Sequence, residues 1–143
     1  MTFSKRFLAF LPWLYKWEGK VFENDPDDPG GATKFGIDQR SHPAVNIRDL
    51  TEEQADEIYS EEWNSDNCER LPFPLGEVYF NACVNVGKYR ADQLMAKTRS
   101  AGTFLDAQQA FYERLAEAKP KSAKYLKGWT NRTNDLRKFL KIA

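Results

Sequence analysis

The sequence is poor in the side chains on which most metalloenzymes and many nucleophilic hydrolases depend. Its 143 residues include one histidine, His42, and two cysteines, Cys68 and Cys83. A zinc site takes about three or four ligands, so this set cannot furnish a typical one. A lone histidine followed by Pro43 also argues against a His-based triad. No apolar run nears the roughly 18 residues of a membrane span, so no stable membrane insertion is expected. An excess of one charge sign is missing too, with 21 Lys+Arg against 21 Asp+Glu. What is abundant is apolar surface, 41% of residues with 14% aromatic, which supports a packed core over disorder. The length fits one domain or two small lobes sharing a core. If the chain is an enzyme, carboxylates are the source of its acid and base, and neither a metal nor another cofactor is expected.

The zero net charge conceals a split. Residues 1–72 carry 8 Lys/Arg and 15 Asp/Glu, whereas residues 73–143 carry 13 and 6. Two lobes attracting each other would explain this, and so would a basic face meeting an anionic partner such as bacterial cell wall. Nucleic acid ranks last among such partners, because no nucleic-acid-binding motif is present.

Lys5-Arg6 before Phe7-Leu8-Ala9-Phe10-Leu11 imitates a secretory signal. Pro12 and Trp13 interrupt it and no small-residue cleavage site follows, so an amphipathic first helix is expected instead. A cytoplasmic protein with reduced thiols at Cys68 and Cys83 follows from that expectation. The apolar spacing predicts a helix over 3–18, stopped by Gly19. Residues 20–38 are rich in Asp, Pro and Gly and predict a turn-rich hairpin, with Val21-Phe22 and Lys34-Phe35-Gly36-Ile37 as short strands.

Thr51-Glu52-Glu53-Gln54 is a capping box. It opens a helix buried through Ala55, Ile58, Tyr59 and Trp63, with the acidic residues 52, 53, 56, 57, 61 and 62 solvated. After the stiff connector 71–74, a helix over 75–86 is expected to bury Val78, Ala82, Cys83 and Val86, and another runs over 88–99. Thr103 reads as the N-cap of a helix to Lys119 buried through Phe104, Ala107, Phe111 and Leu115. The tail 122–141 reads as helix with a break at Gly128. His42 reads as a loop residue with no special role, and Trp129 and Arg132, three apart, as core packing with a salt bridge in preference to framing a groove. Asn81 and Asn85, four apart on one helix face, either line a saccharide groove or are buried and bonded to backbone.

The chemistry-bearing candidates are Glu18, Asp27 and Thr33. Glu18 ends the first helix, where the negative end of the dipole and the nearby Trp13, Tyr15 and Trp17 disfavour a charged carboxylate, as a general acid requires. Asp27 lies in a polar turn with Asp25 and Asp28, a setting that keeps a carboxylate ionised, and either neighbour could take its place. Thr33 offers a hydroxyl to hold a water. One protonated and one ionised carboxylate is the pairing that glycoside hydrolysis uses. A calcium loop counted from Asp25 fails, since Pro29 and Gly36 fall where oxygen ligands are required.

Residues 17–38, Trp-Glu-Gly-Lys-Val-Phe-Glu-Asn-Asp-Pro-Asp-Asp-Pro-Gly-Gly-Ala-Thr-Lys-Phe-Gly-Ile-Asp, resemble the signature of glycoside hydrolase family 108. These are phage-type endolysins and related secretion activators that cut peptidoglycan as N-acetylmuramidases. The family motif begins Glu-Gly-Gly; here Lys20 replaces the second glycine. The spacing of Glu18, Asp27 and Thr33 is also similar to the Glu/Asp/Thr triad of phage lysozymes. Residues 79–87 and 125–132 resemble the C-terminal segment of the family, described as a predicted peptidoglycan-binding domain, although an Asp-Gly and Gly-Pro stretch usual between them is missing.

The resemblance implies a predominantly α-helical, lysozyme-like α+β fold with a small hairpin after the first helix. It implies a catalytic lobe over 1–72 and a peptidoglycan-binding-like segment over 73–143; because the usual stretch is missing there, 73–143 is expected to be a helical lobe completing one compact body. Glu18, Asp27 and Thr33 would be catalytic, and Asp28, Lys34, Phe35, Asn81 and Asn85 substrate-binding. The expected partner is bacterial peptidoglycan and the expected state a monomer, held in a host cytoplasm until a holin opens the membrane. A wall-binding or secretion-helper protein with little lytic activity is the alternative.

Overall fold

A computed structural model describes residues 2–26 and 30–143. The chain is α+β and predominantly helical. In order it forms α1 (Lys5–Glu18), β1 (Thr33–Lys34), β2 (Ile37–Asp38), α2 (Glu52–Ser65), α3 (Leu75–Val86), α4 (Lys88–Ala96), α5 (Ala101–Ala118) and α6 (Leu126–Leu140), with 3-10 turns at Cys68–Arg70 and Pro120–Tyr125. The chain divides into two compact units, the first ending at Glu69 and the second Arg70–Ala143. No helix among the described residues is long and apolar enough to cross a membrane.

In the first unit, α1 begins where the Ser4 hydroxyl accepts the Phe7 N–H at 3.0 Å, and it ends at Gly19, whose N–H returns to the Tyr15 carbonyl at 2.8 Å. α2 begins with the expected capping box of Thr51 and Gln54. Phe7, Phe10 and Leu14 of α1 are buried with Ala55, Tyr59 and Trp63 of α2. Fully burying each large apolar side chain contributes about 1.5–3 kcal/mol.

Two of the acidic positions on α2 are not on a solvated face. Asp56 is half-buried and accepts the Tyr15 hydroxyl at 2.6 Å. Glu62 lies 3.0 Å from His42 Nε2. His42 is therefore a tie and not an idle loop residue, since its Nδ1 also lies 3.3 Å from the Asp38 carbonyl. That hydrogen bond to Glu62, more than anything else, raises its pKa above the ordinary histidine value.

The hairpin is shorter than expected and differently placed. β1 and β2 pair antiparallel, Thr33 opposite Asp38 and Lys34 opposite Ile37. Phe35 and Gly36 form the turn, with φ of 56° and 80°, so the expected strand over 34–37 is in fact the hairpin's bend. Two positive φ values match the right-handed strand twist of a type I′ connection. Val21-Phe22 is not a strand; the third rung is a single antiparallel bridge from Glu23 to Thr33, with both N–H···O bonds at 2.8 Å.

The second unit is helical throughout. α3 packs against α4 and α5, and α5 against α6. Cys83 and Val86 are half-buried where core positions were expected, and Cys68 is the fully buried cysteine. α4 stops at Ala96, short of the expected 99. The cap of α5 is Ser100, which shares a capping box with Thr103. The buried face of α5 is Phe104, Leu105, Gln108 and Tyr112, leaving Ala107, Phe111 and Leu115 half-buried. Gly128 does not break α6; an exposed helical glycine costs only about 1 kcal/mol. Trp129 stacks on Tyr112 with centroids 4.9 Å apart. The buried Arg132 gives its Nε–H to the Asn81 amide oxygen at 2.9 Å.

Candidate active site

The site is built where the end of α1 meets the hairpin turn. Tyr59 of α2 donates its hydroxyl to the Phe35 carbonyl at 2.6 Å, a buried bond that pins the turn. The Phe35 ring stands edge-on to Tyr15 with centroids 5.9 Å apart, and Tyr15 stands edge-on to Tyr59 at the same distance. Burial, and then the hydrogen bond to Asp56, raise the Tyr15 pKa, so its hydroxyl is a fixed donor. Three aromatic side chains thus lock the turn onto two helices.

The lock presses the backbone of Gly36 against Glu18. A Cβ placed on Gly36 would lie 2.5 Å from Glu18 Oε1, 2.7 Å from Glu18 Cβ and 2.6 Å from the Tyr59 hydroxyl. Only a residue without a side chain leaves room for the carboxyl there, and the φ of 80° is the second reason for glycine. Glu18 is half-buried, so its carboxyl is anchored on one side and still reached by solvent.

Thr33 lies on the hairpin that makes this contact, between the Glu23 bridge and β2. Its hydroxyl makes no hydrogen bond among the described residues and is half-exposed, so it can hold a water. Opposite it in register, Asp38 accepts the Ser41 N–H at 3.2 Å and the Ser41 hydroxyl at 3.1 Å. Gly30 abuts that carboxylate, since a Cβ there would lie 2.8 Å from Asp38 Oδ2. Asp27 and Asp28 lie outside the described residues; Asp25 is half-buried.

Glu18, Thr33, Gly36 and Tyr59 all fall within the stretch that a family model matches. The Glycosyl hydrolase 108 model matches residues 11–87, more than half of the chain, and takes in α1 from Leu11 onward, the hairpin, α2 and α3. The chain belongs to that family. This family 108 chain is similar in structure to Brucella abortus SagA, with a TM-score of 0.79 and 23% identity, covering 94% of this chain and 93% of that one. At that identity the likeness speaks for the fold. No curated protein matches the sequence.

Other expected site residues of this family 108 member fall elsewhere. Phe35 is 7% exposed, so its ring is core and not a binding surface; the positive φ of the turn directs it onto Tyr15. The Lys34 ammonium donates to the Arg48 carbonyl at 3.0 Å and lies 5.6 Å from the Phe35 ring, bracing the loop before α2. Asn81 is fully buried in the second unit against Arg132. A polar residue at the centre of an apolar helix must find its partner inside, so Asn81 presents nothing to a saccharide. Asn85 accepts from the Tyr112 hydroxyl, which in turn accepts from Gln108 at 2.7 Å. Both asparagines bond side chains where backbone was the expected partner. Sequence reasoning missed Gly36 and the Tyr59 hydroxyl as supports of Glu18; the Phe-Gly dipeptide between polar and apolar alternation was the available signal for the turn.

Proposed function

We propose that the protein is a peptidoglycan hydrolase, an N-acetylmuramidase that cleaves the β-1,4 bond between N-acetylmuramic acid and N-acetylglucosamine. The observation that carries this reading is Glu18, half-buried at the end of α1 and held against Gly36 in a chain that belongs to a glycoside hydrolase family. A general acid must meet the leaving oxygen in fixed geometry, and the close approach of Gly36 restricts the Glu18 carboxyl on one side. Glu18 protonates the glycosidic oxygen. Asp27 activates water or stabilises the oxocarbenium-like transition state, and Thr33 orients the water. The substrate is the wall of a bacterium, reached after release from the host cytoplasm, and the consequence is lysis.

The test is digestion of purified peptidoglycan with mass spectrometry of the products. Reducing N-acetylmuramic ends are expected. Glu18→Gln should lose about 10²–10⁴-fold in rate with an unchanged fold; near-wild-type cleavage by a folded variant overturns the assignment. Among Asp25→Asn, Asp27→Asn and Asp28→Asn, the second should lose the most. Reducing N-acetylglucosamine ends or freed peptides would refute the muramidase reading.

A further inference from the structure

α1 carries a second surface that the chemistry at Glu18 does not use. Between α1 and the start of α2 lies a cleft of about 520 Å³, within the range of small-ligand sites, roughly 300–1,000 Å³. One wall is apolar: Leu8, which is 45% exposed, Leu11 and Pro12.

The remaining lining is charged, with Lys16 and Lys20 facing Glu52 and Asp56. Lys20 Nζ lies 2.5 Å from Glu52 Oε1 and 5.5 Å from the Tyr15 ring. Both partners are about half-exposed, so the pair is weak in water and exchanges readily for a ligand's groups. Cations, carboxylates and an apolar wall together match a short peptide that bears carboxylates, an amine and small apolar side chains.

The position fits as well. Lys20 follows Glu18 by two residues, so the mouth of the cleft is within about 7.6 Å of it, Cα to Cα. From Glu18 back to Leu8 the helix is about 15 Å long, which an extended peptide covers with about four or five residues. The muramic acid of the wall carries such a peptide on its lactyl group. We propose that this cleft holds the stem peptide of the glycan strand, so that the enzyme acts on peptide-bearing glycan in preference to naked glycan. This rests on the muramidase reading above.

The experiment compares kcat/KM on peptidoglycan with its stem peptides and on the same glycan stripped by an amidase. Wild type should prefer the peptide-bearing substrate by roughly tenfold, an effect on the scale of two exposed charge contacts and an apolar one. The double variant Lys16→Ala, Lys20→Ala should lose that preference through KM, with kcat and the rate on stripped glycan unchanged, and Lys16→Arg, Lys20→Arg should keep it. Equal rates of wild type on both substrates, or an equal loss by the alanine variant on both, would overturn the inference alone. No new reducing ends from either substrate would refute the muramidase reading and this inference with it.

Discussion

Replacing Gly36 with alanine would test how Glu18 is held. The added Cβ would stand 2.5 Å from Glu18 Oε1, where ordinary contact begins near 3.4 Å, so the carboxyl or the turn must give way by about 0.9 Å. The φ of 80° adds a conformational cost of about 1–2 kcal/mol for a residue with a side chain. Overpacking adds about 1–3 kcal/mol. Together the variant should lose about 2–5 kcal/mol, read by urea denaturation. A displacement near 1 Å of a catalytic group costs about 10²-fold in rate, so hydrolysis of peptidoglycan should fall about that far in the fraction that remains folded.

Gly87→Ala is the control. Gly87 has φ 89° and ψ 154°, a region almost reserved for glycine, and nothing lies within 4 Å of its would-be Cβ. It should lose about 1–3 kcal/mol and keep its rate. A folded Gly36→Ala protein with wild-type hydrolysis would refute the idea that the turn positions Glu18. An equal loss of rate in Gly87→Ala would assign the effect to global destabilisation and refute it as well.

Further expectations follow from the same geometry. Tyr59→Phe leaves the buried Phe35 carbonyl without its 2.6 Å donor and should cost about 1–3 kcal/mol in urea denaturation, with a lower hydrolysis rate; unchanged stability would remove Tyr59 from its role. The folded pKa of His42 is raised, chiefly by its bond to Glu62, with Asp38 and Glu62 the charged groups that face it. Its stabilisation is therefore complete below the unfolded histidine value of about 6.5 and is lost as pH rises through the folded value. Melting temperatures measured from pH 5.5 upward should show this loss in wild type and not in His42→Gln; parallel curves would contradict it. Thr51→Ala and Ser100→Ala each remove an N-cap and should cost about 1 kcal/mol while leaving hydrolysis unchanged. A loss below a few tenths of a kcal/mol would show that the cap contributes little.

Local chemistry made several elements legible. α1 follows from the spacing of its apolar residues and stops at Gly19. The capping box that opens α2 stands where Thr51 and Gln54 predict it, because its bonds are made within three residues. Register and facing were less legible. Thr103 has the side chain of a cap, but Ser100 competes for the same role and takes it, and which face of α5 is buried is decided by the helices packed on it. The hairpin bend was read as strand because Phe35 is an ordinary strand residue; its positive φ is supported by the Tyr59 hydroxyl and the Tyr15 ring, which come from distant parts of the chain.

The sequence by itself determined the helical class, the hairpin after the first helix and the search for carboxylates, because scarce histidine and cysteine leave few other acids, bases or nucleophiles. It also placed Glu18 at a helix end, which depends only on the residue after it. The tertiary structure decided which groups surround that carboxyl. Gly36 and Tyr59 are 18 and 41 positions away, and nothing local to Glu18 encodes their approach. It decided as well that Asn81 and Phe35 are interior residues, since burial is settled by what packs over a side chain and not by its polarity or its place in a motif.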